Sequence, residues 1–241
     1  MDFQTSANPF LNIPRKKLDD ALSDIKDHYS DQNGLLTKEG AILTEVFYGY
    51  YNSNIPVDYW WRDMSDFIGP PILKNFYNSY VEDIKTAYKD GKRARLGGSH
   101  GVGKSMTCAC ILKRVVETQK YSTLYINLTD IIHVLLTSSH EDKIYARQNL
   151  LSVDFLVIDE FDERFMGSEN AADLFGRILE PILRTRIQNR MPLLICTNTA
   201  KIEDSFSGPL KASIESLFNL IKLVPVIGGK DVRAMIKNGE L

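Results

Sequence analysis

The chain has 241 residues, 44% of them hydrophobic and 25% charged, with a formal net charge of -2; this is the make-up of an ordinary globular protein and excludes one that is basic along its whole length. That length fits one substantial α/β domain with an appendage, so any contact with nucleic acid has to come from a local patch. Cys108, Cys110 and Cys196 lack the paired spacing of a zinc site, no apolar run reaches a membrane span, and Met1-Asp2-Phe3-Gln4 is not a secretory signal, so reduced core thiols in a cytoplasmic, non-membrane protein are expected.

The first 13 residues form a loose lead-in to Pro14 and the basic trio Arg15-Lys16-Lys17. Leu18, Leu22, Ile25 and Tyr29 then recur at helical spacing against Asp19, Asp20, Asp24 and Asp27, predicting an amphipathic helix ended by Asn33-Gly34. A second helix is predicted from Thr37 to about Tyr51, with Ile42, Val46, Phe47 and Tyr50 on one side. These two helices either dock on the core or form an arm that grips another protein. In the cluster Tyr59-Trp60-Trp61 the one nearby cation is Arg62, which favours packing over base stacking. After Gly69-Pro70-Pro71, the residues Phe76, Tyr77, Tyr80, Ile84, Ala87 and Tyr88 mark one helix running up to Asp90-Gly91.

Arg93 to Gly97 supplies an entering strand, less apolar than a buried parallel strand usually is. It leads into Gly98-Ser99-His100-Gly101-Val102-Gly103-Lys104-Ser105, a glycine, four free positions and then Gly-Lys-Ser, followed by a half-apolar helix from Met106 to Gln119. A strand before and a helix after give this pattern its meaning as a phosphate-cradling loop. Backbone N–H groups and the positive end of the helix converge there on a polyanion. Lys104 would reach the β and γ phosphates, and the Ser105 hydroxyl would sit on the magnesium ion that bridges them. Gly98, Gly101, Val102, Gly103, Lys104, Ser105 and Met106 are the candidates for binding ATP.

Ser122 to Asn127 reads as a strand, and Leu128 to Leu136 and His140 to Leu150 as helices. The second of these carries Lys143 and Arg147, which face either a nucleic-acid backbone or solvent. Asp154-Phe155-Leu156-Val157-Ile158-Asp159-Glu160 is an apolar strand that delivers two acids at its carboxyl end, where Asp159 would hold magnesium and Glu160 would orient and deprotonate the attacking water. A long helix follows from Glu169 to Arg190, with Leu174, Phe175, Ile178, Leu179, Ile182, Leu183 and Ile187 inward and a kink or restart at Pro181. Met191 to Asn198 is a further buried strand that brings Asn198 to the γ-phosphate or the water. Leu210 to Ile221 is a helix, Leu223 to Ile227 a last strand, and Gly228-Gly229 a turn before Arg233 and a short tail. Strands alternating with helices predict a parallel sheet covered on both faces, with ligand at the carboxyl ends of the strands.

A lysine loop, a Leu-Val-Ile-Asp-Glu strand and a later strand ending in Thr-Asn resemble the AAA+ ATPases, and within them the branch of DnaC- and DnaI-type helicase loaders and IstB-type transposition ATPases. The finer likeness rests on Asn54-Ile55-Pro56 with Tyr59, on Arg186 six positions before Pro192, on Cys196-Thr197-Asn198 and on Gly229-Lys230-Asp231-Val232-Arg233. The resemblance implies a P-loop AAA+ sheet with a minimal or absent C-terminal lid over residues 54–241, behind a helical partner-binding region over 1–53. It makes Asn198 the sensor-one residue and Arg233 the late arginine near the nucleotide, and puts the Asn54 to Tyr59 segment by the adenine. It implies a replicative hexameric helicase as partner of the amino-terminal region, and single-stranded DNA at Lys143 and Arg147. ATP-dependent self-association also follows from it. One position departs from the family: Ser216 is followed by Leu217 where an arginine is expected, leaving Lys211, Arg184 or Arg186 to supply the trans-acting cation, or hydrolysis to be slow. The alternatives are an IstB-like adaptor recruiting a transposase to duplex DNA and a nucleotide-switched scaffold with negligible turnover.

Overall fold

Strands whose residues are buried on both sides must be sandwiched between helices, and that is how the middle of this chain folds. The computed structural model describes residues 8–161, 169–199, 202–228 and 231. Among them the helices are α1 (Arg15–His28), α2 (Lys38–Asn52), α3 (Pro71–Val81), α4 (Ile84–Lys89), α5 (Lys104–Glu117), α6 (Leu128–Thr137), α7 (His140–Ser152), α8 (Glu169–Gln188) and α9 (Gly208–Phe218). The strands are β1 (Arg93–Gly98), β2 (Thr123–Asn127), β3 (Phe155–Phe161), β4 (Leu193–Thr197) and β5 (Lys222–Val226), all parallel, in the spatial order β2-β3-β4-β1-β5.

Side-chain parity sorts the sheet into two cores. Tyr125, Phe155, Val157, Leu194 and Cys196 point into a core shared with α1, α2, α3 and α5. Leu124, Ile126, Leu156, Ile158, Leu193 and Ile195 point into the other, shared with α6, α7, α8 and α9. Phe161 breaks the alternation: by parity it belongs with Phe155 and Val157, yet it packs in the second core. The register gives the cause, because β3 pairs Ile158 with Ile195 and Phe161 with Thr197, setting Asp159 and Glu160 opposite the single residue Cys196. This is a β-bulge, and one extra residue turns the rest of the strand over.

The polar residues of β1 have specific partners. Arg95 is buried with its guanidinium on Glu203 at 2.7 Å and 4.8 Å above the Phe218 ring, and Arg93 donates to the Ile187 carbonyl at 2.8 Å. A paired charge can be buried where an unpaired one cannot.

Several details differ from the sequence-based expectation. The predicted helix up to Asp90 is two, because Asp83 caps a new start by accepting from the Thr86 amide at 2.8 Å. α8 continues through Pro181 without a restart. Leu174 is 43% exposed and Ile42 49% exposed, so neither packs inward, and the side chain of Phe175 lies outside the described residues. α1 ends at His28, ahead of Asn33-Gly34.

α1 and α2 dock on the sheet and α5. Tyr50 donates to Glu117 at 2.8 Å, and a Cβ at Gly49 would lie 2.4 Å from Val116, so α2 and α5 touch where glycine leaves room. Trp60 is 2% exposed and donates to the Ile55 carbonyl, while Trp61 is 57% exposed and lies against Phe47. Lys113 of α5 fastens this segment by donating to the carbonyls of Tyr59, Trp60 and Arg62. The helices on both faces thus converge on one end of the sheet, where the carboxyl termini of β1, β3 and β4 lie side by side.

Candidate nucleotide site

The loop leaving β1 turns back through two glycines with left-handed φ, Gly101 at 72° and Gly103 at 97°. Only glycine takes such angles without strain. At Gly103 there is a second constraint, since a Cβ would meet the Phe67 ring at 2.4 Å. Val102 between them is fully buried and anchors the loop to the core. α5 begins at Lys104 with no side-chain cap on its amino end, so its first-turn N–H groups and the positive end of its dipole face the loop. Ser105 and Met106 are half-buried in that first turn.

Lys104 is itself buried, and its ammonium donates to the carbonyls of Gly98 at 2.8 Å and Ser99 at 2.6 Å. Its third bond is to Asn198 Oδ1 at 2.9 Å. The end of β4 therefore reaches the loop that follows β1, its immediate neighbour in the sheet.

The acids stand on the other side of β4. Asp159 is buried, and both its carboxylate oxygens are held: Oδ1 by the Glu160 amide at 2.8 Å, Oδ2 by the hydroxyl of Tyr125 from β2. Glu160 is exposed with φ at 52°, a conformation that costs a non-glycine residue about 1 kcal/mol or more and that the bulge imposes. Cys196 registers both charges, its thiol pushed well up by its bond to Cys108 and by burial, raised further by Asp159 and eased by Lys104. The bulge is what turns two adjacent acids into two different groups, Asp159 buried and clamped and Glu160 exposed at the surface.

Ser105 and Asp159 offer a hydroxyl and a carboxylate, hard oxygen donors that suit magnesium. Among the described residues no group of three or more His, Cys, Asp or Glu could hold a metal. That donor set fits an ion which keeps its waters and takes the remaining ligands from phosphate, rather than one caged by protein.

Other predicted residues fall elsewhere. Arg233 lies outside the described residues, as do Gly229, Lys230 and Val232. Asn54 is tied to the β2 edge, donating to the Tyr125 carbonyl at 3.1 Å, whereas the segment that meets the phosphate loop is Phe67–Gly69. Arg186 cannot act in trans: it is 0% exposed, and its guanidinium donates to the carbonyls of Leu150, Val153, Asp154 and Pro192. Leu217 is 3% exposed in the second core, so a cation there would be buried. Arg184 and Lys211 are at the surface, engaged with Glu180 and Asp204. Lys143 donates to the Leu136 carbonyl at 2.7 Å and Arg147 is exposed. Sequence reading missed Tyr125 and Phe67; Tyr125 shares parity with Asp159 across paired strands, which is the signal that locates it.

No protein-family model matches this sequence, and no curated protein matches it. Solved structures do. A DnaI structure is 19% identical with a TM-score of 0.57 over 73% of this chain and 93% of that one. A putative primosome component from Streptococcus pyogenes serotype M3 is 19% identical with a TM-score of 0.58 over 80% and 98%. The DnaC helicase loader is 19% identical with a TM-score of 0.54 over 70% and 98%. No helix among the described residues is long and apolar enough to cross a membrane. With its five-stranded parallel sheet and helices on both faces, the chain shares the fold of the DnaI and DnaC structures.

Proposed function

We propose that this protein is an ATP-dependent loader of a replicative hexameric helicase, delivering the ring onto single-stranded DNA. The observation that carries the nucleotide half of this reading is the bond from Lys104 to Asn198 Oδ1, with Asp159 and Glu160 on the strand next to Asn198. In use, Lys104 exchanges its loop carbonyls for the β and γ phosphates, and the uncapped start of α5 takes the rest of the polyphosphate charge. Ser105 and Asp159 hold the magnesium, which neutralises charge on the phosphates when bound. Glu160 takes a proton from the attacking water, and Asn198 reports the γ-phosphate to β4. ATP favours the self-associated, DNA-engaged state to the extent that these contacts differ between states.

The loading half is supported by the likeness to the DnaC helicase loader and by the amino-terminal hairpin, whose Leu35, Leu36 and Ile42 are exposed. Exposed large apolar side chains of this kind are groups that a protein partner can cover. Lys143 and Arg147 on α7 are the cations we assign to the DNA backbone. A second reading, a nucleotide-switched scaffold with negligible turnover, is favoured by one observation: the buried Leu217.

The test is gel filtration of the chain with the replicative helicase of its own host, with and without ATP. Co-elution that Leu35→Asp with Ile42→Asp abolishes and that Lys104→Ala uncouples from ATP supports the loader. A chain that binds ATP yet never associates with the helicase refutes it. Equal residual hydrolysis in the unaltered protein and Glu160→Gln favours the scaffold.

A further inference from the structure

The phenol of Tyr125 is buried on the sheet face that carries Asp159, and its hydroxyl donates to Asp159 Oδ2. In the β2–β3 register Asn127 sits beside Asp159, so Tyr125 reaches it across an offset of two residues, about 7 Å along the strand, which a tyrosine side chain spans.

The other carboxylate oxygen is held by the Glu160 amide, which the bulge aims at it. Rotating the carboxylate would break both bonds at once, so its plane is fixed. A carboxylate oxygen accepts about two hydrogen bonds, so one bond on each leaves acceptor capacity for an ion.

We propose that Tyr125 is a positioning residue for the magnesium site: its hydroxyl and the bulge amide are two jaws that hold Asp159 in the one orientation from which it serves the ion. This rests on the nucleotide reading above and adds a residue to it. The carboxylate is thereby set before nucleotide arrives, and the metal finds its ligand preorganised. Partners that orient a ligand in this way typically change metal affinity about 10- to 100-fold when removed.

The test is Tyr125→Phe, which keeps the ring and the backbone carbonyl that accepts from Asn54. Binding of a fluorescent ATP analogue is titrated with magnesium and repeated in EDTA, alongside thermal melting without nucleotide. The expected result is about a tenfold rise in the magnesium needed for half-maximal binding, with affinity in EDTA unchanged, a melting temperature lowered by the loss of one buried hydrogen bond and turnover recovered at high magnesium. A magnesium midpoint within twofold of the unaltered protein overturns the proposal, as does a parallel fall in EDTA affinity and melting temperature, which marks a merely structural tyrosine. If the unaltered protein binds no nucleotide, the nucleotide reading falls and Tyr125 with it; if it binds with magnesium and Tyr125→Phe matches it, Tyr125 alone is wrong.

Discussion

Replacing Arg186 with methionine removes donors from four carbonyls: Leu150 and Val153 at 2.9 Å and Pro192 at 2.8 Å, all buried, and the part-buried Asp154 at 3.2 Å. Each buried acceptor left without a partner costs about 1 kcal/mol at the low end, so four come to at most about 4 kcal/mol on that scale. Two effects trim this. Pro192 also accepts from the Leu156 amide at 3.4 Å and keeps one partner. The guanidinium itself is expensive to bury, its pKa pushed down to about 10 by desolvation although it stays charged at neutral pH. A net loss of about 3 kcal/mol is expected, in line with removing one side of a buried charged network. With a urea dependence of about 2 to 3 kcal/mol per molar for a chain of this size, the unfolding midpoint should drop by about 1 M, read by far-UV circular dichroism. Methionine fills the space, so cavity formation is a small part of the loss. Had Arg186 been the trans-acting cation, the same substitution would spare stability and abolish turnover. An unchanged urea midpoint with lost ATPase activity would refute the assignment of Arg186 as a keystone.

Three further outcomes follow from the structure. Gly103→Ala combines a φ of 97° with a Cβ 2.4 Å from Phe67; we expect at least about tenfold weaker nucleotide binding with the helical content intact, and Phe67→Ala added to it should restore part of the affinity, whereas full affinity in Gly103→Ala alone would contradict the loop geometry. Burial pushes the Cys110 thiol up to about 12, and the bond to Cys108 together with burial pushes the Cys196 thiol well up. A folded-state pKa above the unfolded value gives stability that is complete below about pH 9 and lost as pH rises toward 12, because only the unfolded chain ionises there. Stability to urea should therefore fall between pH 9 and 10.5, less steeply in Cys110→Ala. The native protein should leave all three thiols unreactive toward a disulfide reagent at pH 8, and rapid labelling without denaturant would refute their burial.

The fold class was legible because parallel strands buried on both faces write themselves as apolar runs, and Phe155 to Ile158 and Leu193 to Cys196 are such runs. The loop from Gly98 to Ser105 was legible because phosphate binding demands glycines and a lysine at fixed spacing in one short segment. Where spacing alone misled, a local bond had prevailed: Asp83 split a helix that periodicity had joined. Ile42 and Leu174 fit the helical period yet face outward. Helical periodicity shows which residues share a face; what the face meets depends on the neighbouring helix.

The sequence by itself determined the strands, the glycine turn between β1 and α5 and the place of the two acids at the end of β3, since each is encoded within a few consecutive residues. The tertiary structure alone decided that Arg186 is sealed among four carbonyls, that a bulge opposite Cys196 separates the work of Asp159 from that of Glu160, and that Tyr125 clamps the former. Apart from Arg186 to Pro192, six positions on, those contacts join residues more than 30 positions apart or hang on the register of paired strands, and no local pattern carries register; it is settled when the sheet assembles and each side chain meets a neighbour from another part of the chain.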